Sequence, residues 1–372
     1  MPGNEMTRRE FVRDTAVASA AVAAVAAGGA AQAAEAKPAE VDKSKIVNYN
    51  ENMEYRPCGK TGLMVSAVAL GGHYKQIEKV LPPGFKTGGI WGVHADDPAL
   101  TKNRTDIVSR MIEVGMNWID ACTVEEVRCH ARALKGRRDK MHLACSWYQR
   151  EMRSMQSPKA DKLLAVLDAG LKEAELEYAD LWRITMHEGS SRHPNADVDE
   201  MMKALEMARK QGKIRFAGFS SHDRPHIQWM IKTYPKIVDI VVTPCTPETK
   251  KAPTDSMFDT MKEYDVGYFG IKPYASGSLF KGGGAPSGPN AEEDDKIGRL
   301  AIRKLLENPA LTAPIPGLIT THQVDNVALA VKERKEGKAL TQAERDLLHS
   351  AMQDAWASLP PGYEWLRNWE YV

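Results

Sequence analysis

Residues 119 to 138 read IDACTVEEVRCHARALKGRR and bring an acid, two thiols, two more carboxylates and an imidazole into one short segment. Asp120 follows the largely apolar run VGMNWI, so it stands where a buried strand meets solvent. From there a carboxylate can hold a cation or orient a proton donor. The same acid could instead cap the helix that follows. Ionised, it needs hydrogen bonds or a counter-cation, and Arg128 and Lys272 are the two candidates. Glu125 and Glu126 fit the first turn of a helix, where carboxylates complement the dipole. His73, Cys122, Cys145, His187, His222 and Cys245 all fall at or just after apolar runs. Converging imidazoles and thiolates bind zinc, iron or copper. No short-spaced ligand pair anchors such a site, so no metal ligand is assigned. Trp118, Trp147 and Trp182 read as core or rim packing.

What must position these groups is a series of short apolar runs alternating with helical patterns. VSAVALGG (65–72), MNWID (116–120), KMHLACSW (140–147) and ADLWRITMHE (179–188) predict strands, as do IRFAGFSS (214–221), IVDIVVTP (237–244), VGYFGIKPY (266–274) and TAPIPGL (312–318). Between the third and fourth, Ser157 is placed as N-cap and Pro158 at the first helical position, with Leu163, Leu164, Leu167 and Leu171 on one face. About eight such alternations of buried strands with helices imply a parallel sheet closed into a (β/α)8 barrel, an α/β fold whose working groups stand at the C-terminal strand ends. Asp120 is at such an end. The loops LPPGFKTGGIWGVHADDPALTK (81–102) and KGGGAPSGPNAEEDD (281–295) are long for their place, which points to covering a ligand.

Across 372 residues, 50 Lys+Arg against 49 Asp+Glu leave a net charge of +1. That balance excludes an electrostatic footprint for nucleic acid and favours a small-molecule substrate. Residues 1–36 stand apart. Arg8 and Arg9 precede Phe11, no charge appears from Thr15 to Ala34, and AQA at 31–33 offers small residues to a peptidase. This resembles a twin-arginine export signal. It implies the twin-arginine translocase as a partner during export, a periplasmic or otherwise exported product, and no stable membrane insertion after cleavage. A linker (37–52) and a barrel with a C-terminal extension (53–372) follow. The five cysteines, an odd number without a C-x-x-C pair, define no disulfide framework.

MEYRPCGKTGLMVSAVALGG, GMNWIDA, ALKGRRDK, LEYADLW, GKIRFAGFSSHD, IKPYASGSL and PIPGLITTHQVDN, in that order, resemble the aldo/keto reductases over about residues 53 to 335. The resemblance implies reduction of carbonyls with NADPH by an Asp, Tyr, Lys and His tetrad at the ends of the second, third and fourth strands. Asp120 matches the Asp. The Tyr position holds Glu125, the Lys position Ser146 and the His position Thr185. Tyr148 and His187, each two residues beyond a vacated position, are the candidates to rebuild an acid pair beside Asp120.

On the cofactor side the resemblance places Ser220 and Ser221 at the carboxamide, though Cys245 stands where an aromatic usually stacks on the nicotinamide. It brings Tyr274, Ser276, Gly277 and Leu279 to the pyrophosphate through backbone amides. Gly317, Thr320, Thr321, Gln323 and Asn326 fall near the adenosine. NADP is implied by the family alone, since no cation for a 2′-phosphate stands beside Thr320. The resulting expectation is an NADP-linked carbonyl/alcohol oxidoreductase with an atypical acid site. Two alternatives stand beside it: an exported pseudoenzyme or binding protein on the same barrel, and a metal-dependent enzyme using His and Cys at its mouth.

Overall fold

Seven buried apolar segments pair in parallel in strict chain order: β3 (Trp118–Ala121), β4 (His142–Cys145), β5 (Ala179–Thr185), β6 (Ile214–Ser220), β7 (Ile240–Pro244), β8 (Gly267–Ile271) and β9 (Ala313–Pro314). The computed structural model describes residues 42–72, 77–82, 85, 94–284 and 287–371. Closure comes from the segment after the first hairpin. Leu70 pairs with Ile119 on one side and Gly71 with Gly317 on the other, both parallel. The sheet thereby curls into the barrel expected of a (β/α)8 fold. Gly71 makes closure possible, because a Cβ there would lie 2.4 Å from the Ile315 carbonyl oxygen.

The far end of the barrel is plugged by the antiparallel hairpin of β1 (Tyr55–Pro57) and β2 (Met64–Ser66). Cys58 and Val65 from it join Trp118, Leu181, Ile240, Val242 and Phe269 in the interior core. Trp118 stacks on Phe269 with centroids 4.5 Å apart. With the bottom filled, the C-terminal strand ends are the end of the barrel open to a ligand. The segment expected as linker is held against this end from residue 42 onward, where Asn50 Nδ2 donates to the Glu113 carbonyl at 2.9 Å. The export signal expected over 1–36 lies outside the described residues.

Helices cover the strands, and several start where a side chain accepts from their first amides. Asp97 caps α1 (Pro98–Val114) through the amides of Ala99 and Leu100, and Thr123 caps α2 (Val124–Ala133). The expected cap at Ser157 is not formed. Ser157 is left-handed (φ 49°), and α3 (Ala160–Glu173) begins three residues later. Its first amide, Ala160 N, donates instead to Glu200 of α4 (Asn195–Lys210) at 2.8 Å, so tertiary contact overrides the local signal. Leu163, Leu164, Leu167 and Leu171 are buried as the periodicity requires. Then come α5 (Arg224–Thr233), α6 (Met257–Glu263), α7 (Ala291–Leu305) and α8 (Thr321–Lys335). After them, α9 (Gln342–Ala357) opens on a Thr341–Glu344 capping box and packs Leu348, Met352 and Trp356 with Leu300 of α7 and Leu366 beyond α9. No described helix is long and apolar enough to cross a membrane.

Candidate active site

A cavity of about 340 Å³ opens at the C-terminal strand ends. Asp120, 3% exposed, sits in its wall at the end of β3. Arg183, two strands away on β5, meets it as a fork: Nε donates to Oδ1 and Nη2 to Oδ2, both at 2.6 Å. Burial alone would pull the guanidinium down, but Asp120 beside it more than offsets this and raises its pKa. The counter-cation of Asp120 is therefore neither expected candidate. Arg128 points outward to Glu125 and Asp96, and the Lys272 ammonium lies 5.1 Å over the Tyr363 ring. The sequence carried one signal for Arg183: a charge inside the otherwise apolar LWRIT strand needs a buried partner.

The vacated Lys and His positions meet each other. Ser146 Oγ and Thr185 Oγ1 are 2.8 Å apart, and Arg183 Nη1 donates to Thr185 Oγ1 at 2.8 Å. Behind them lies Glu151, with no exposed surface. Its Oε2 accepts from Ser146 Oγ (2.6 Å) and Thr185 N (3.1 Å). Its Oε1 accepts from Trp147 N (2.9 Å) and Trp182 Nε1 (2.8 Å). Burial raises the Glu151 pKa against the opposing pull of these four hydrogen bonds. Nothing in WYQREMRS marked this glutamate, because its partners Trp182 and Thr185 come from another strand.

Of the two residues expected to rebuild the acid, Tyr148 lines the cavity and His187 does not. Burial above all raises the Tyr148 phenol, against the pull of Arg153, which makes it a poorer acid. His187 leaves the strand end outward: its ring stacks on His193 at 4.8 Å and its amide donates to His193 Nε2 at 3.3 Å. The cavity histidine is His222, stacked on Trp365 at 4.4 Å. Burial, reinforced by Lys272 and Arg153 against Glu188, lowers its pKa to about 3, so it is neutral at pH 7. His73 lies outside the described residues. The thiols of Cys145 and Cys245 are buried away from the cavity. Among the described residues no three His, Cys, Asp or Glu side chains are grouped to hold a metal.

The other half of the cavity is walled by Ser220, Ser221, Tyr274, Ser276, Gly277, Gly317, Gln323 and Asn326. Ser276 (φ 63°) and Gly277 (φ 94°) are consecutive left-handed residues that fold a tight turn at the cavity wall, where the Gly277 amide donates to the Tyr274 carbonyl at 2.8 Å. Nothing lies within 4 Å of a Cβ built on Gly277, so this wall has room for a ligand. Leu279, Thr320 and Thr321 stand outside the wall. Leu279 is core, and Thr320 is spent as the N-cap of α8, its Oγ1 accepting from Gln323 N at 3.1 Å. Ser221 donates its hydroxyl to Ser190 (2.7 Å). The glycine-rich loop does close over the cavity: Gly283 and Gly284 line it. Asp294 holds that loop by accepting the amides of Lys281, Gly282 and Gly284 at 2.9 to 3.0 Å.

Known proteins share this fold. The sequence pattern of the Aldo/keto reductase family matches residues 89–344. The chain is similar to the L-galactose dehydrogenase of Arabidopsis thaliana, at 23% identity over 306 residues, 76% of this chain and 89% of the relative. It is also similar, at 30% over 95 residues, to an uncharacterised oxidoreductase of Schizosaccharomyces pombe, covering 26% of this chain and 31% of that protein. Its fold is similar to that of an aldo-keto reductase from Bacillus halodurans in its holo form (TM-score 0.56, 22% identity, 84% of this chain and 99% of that one). A closed barrel with its cavity at the strand ends and a family match over most of its length lead to one assignment: the chain belongs to the aldo/keto reductase family of oxidoreductases.

Proposed function

We propose that this protein is an exported nicotinamide-dependent alcohol dehydrogenase acting on a small polyhydroxylated substrate such as an aldose. The observation that carries the reading is one continuous cavity. It joins a glycine-rich wall at 274–284 and 317–327 to a polar end at Asp120, Arg183 and Thr185. This open, glycine-lined wall fits a dinucleotide, with Ser276 and Gly277 at the pyrophosphate and Gln323 and Asn326 near the adenosine. Bound there, the cofactor supplies the hydride acceptor or donor. The chain's own residues orient the substrate and move its proton. The likeness to an L-galactose dehydrogenase supports alcohol oxidation as the direction.

The family's habit is NADP, yet Asp294 and Asp295 line the adenosine end, and the lining cations Arg153, Arg183 and Lys272 belong to the polar end. A 2′-phosphate would face carboxylates, which weighs toward NAD. Export rests on the paired Arg8 and Arg9, the uncharged run behind them and the small residues at 31–33. The reading extends to cleavage near residue 33 and passage through the twin-arginine translocase. A tightly held cofactor suits that route.

Two measurements test this. Titration with NADH and NADPH, followed by tryptophan quenching, should give micromolar binding with NADH the tighter. Incubation with L-galactose and a panel of aldoses should reduce the oxidised cofactor. No binding of either nucleotide up to millimolar removes the reading in favour of a binding protein on the same barrel. For export, Arg8→Lys with Arg9→Lys should retain the precursor in the cytoplasm, and unchanged fractionation overturns it.

A further inference from the structure

We propose that Thr185, Ser146 and Glu151 form a hydroxyl relay that carries the substrate's proton to a buried carboxylate, in place of the tyrosine this chain lacks. The inference rests on the alcohol dehydrogenase reading above.

The ends of the chain fix its polarity. Arg183 Nη1 can only donate, and an ionised carboxylate can only accept. Between them, Arg183 donates to Thr185 Oγ1 (2.8 Å), Thr185 therefore donates to Ser146 Oγ (2.8 Å), and Ser146 donates to Glu151 Oε2 (2.6 Å). Each hydroxyl gives one proton inward, and every step runs toward Glu151. Among the described residues Thr185 Oγ1 has one lone pair uncommitted, and of the two relay hydroxyls Thr185 is the one that lines the cavity. Ser146 and Glu151 have no exposed surface, so solvent reaches Glu151 only through this chain or by opening the fold. Glu151's four hydrogen bonds come from donors, which suits a resting anion.

The step balances. The O–H bond of a substrate alcohol breaks and its proton bonds to Thr185 Oγ1. The Thr185 proton moves to Ser146, and the Ser146 proton moves to Glu151, which becomes a carboxylic acid. The C–H electron pair leaves as hydride to an oxidised nicotinamide dinucleotide, and a carbonyl remains. Reduction runs the same path backward from protonated Glu151. The charged groups facing Glu151 are Arg183, through Thr185 on β5, and Asp120 on β3 behind Arg183. From the end of β4 come only Ser146 and the Trp147 amide, and from β5 the Trp182 indole and Thr185 amide. Arg183 also favours a developing negative charge on Thr185 Oγ1.

The test uses the full chain, L-galactose or the best aldose of the panel, and the preferred oxidised cofactor. Thr185→Val keeps the shape and removes the hydroxyl. It should lower kcat by about 100-fold or more with KM within about threefold, as general acid–base losses do. It should also abolish the fall of kcat on acidification that protonation of Glu151 imposes. Thr185→Ser should recover both the rate and that acid limb, which a merely structural role would not require. Glu151→Gln should resemble Thr185→Val; if it does not fold, Thr185→Val at the cavity wall carries the test. Near-normal turnover or a retained acid limb in Thr185→Val overturns the relay and leaves the dehydrogenase reading standing. Absence of turnover by the wild-type chain with every aldose overturns that reading, and the relay with it.

Discussion

At the polar end of the cavity the groups that meet are side chains from separate strands: Asp120 from β3, Ser146 beyond β4, Arg183 and Thr185 from β5, with Glu151 behind them. At the dinucleotide end they are largely backbone: left-handed Ser276 and Gly277, and the amides of Lys281, Gly282 and Gly284 held on Asp294. The difference explains what each has kept. A wall built from backbone depends on chain conformation and a few glycines, so it persists as a readable motif. A side-chain constellation can exchange every member provided charges stay paired and polar atoms satisfied. The family's Lys, which would answer Asp120, is replaced here by a guanidinium from the next strand over.

The comparison breaks most sharply at Arg183. Removing it leaves Asp120 buried without its cation and takes a donor from Thr185, so Arg183→Leu should cost about 3–5 kcal/mol of stability. Urea unfolding followed by tryptophan emission would measure it. Replacing both partners, Asp120→Leu with Arg183→Leu, should recover a large part of that loss while leaving the protein inactive. A single variant as stable as the wild type would mean that Asp120 finds another partner, and the polar end would be less interlocked than its geometry indicates.

At the other end the expected effect is smaller and falls on binding. Asp294→Ala releases three backbone amides of the 281–284 loop without disturbing the barrel. NADH affinity should drop about tenfold, roughly 1.4 kcal/mol, with the thermal midpoint within a few degrees of wild type. Unchanged affinity would show that the loop's closure is independent of Asp294. A collapse in stability would show that the loop belongs to the core, erasing the distinction between the two ends.

The barrel was legible because its strands are buried on both faces and alternate with helices, a pattern that survives any single substitution. Asp120 was legible as the acid ending an apolar run. Its partner was not. Arg183 and Glu151 act through contacts across strands, which the order of residues does not show, so Arg128 and Lys272 stood as the candidate cations instead. His187 failed for a related reason: two residues past a strand end the chain has already turned, so Thr185 faces the cavity and His187 faces His193. The Ser157 cap failed because Glu200, from another helix, offered Ala160 an acceptor that local spacing cannot show. Backbone features such as Gly277 and Gly317 were easier, since the residue type itself reports the conformation or approach required.

His222 stands where the two ends meet, and it offers the smallest and most local test. Its folded pKa of about 3 lies below the ordinary histidine value of 6.5, because burial, Lys272 and Arg153 outweigh Glu188. Between those values the unfolded chain binds a proton that the folded chain refuses, so stability falls as pH drops from 6.5 toward about 3. From pH 6.5 to 5.5 this amounts to about 1 kcal/mol at most for one such group. His222→Gln keeps a polar group on Trp365 and removes the titration. Its stability should therefore decline less steeply than wild type over that interval, by about one proton's worth of slope, in urea midpoints taken at half-unit steps. Equal slopes would mean that His222 accepts its proton in the folded state. The cationic pressure of Lys272 and Arg153 would then be screened, and with it the polar character that sets the Asp120 end of the cavity apart from the glycine-rich wall.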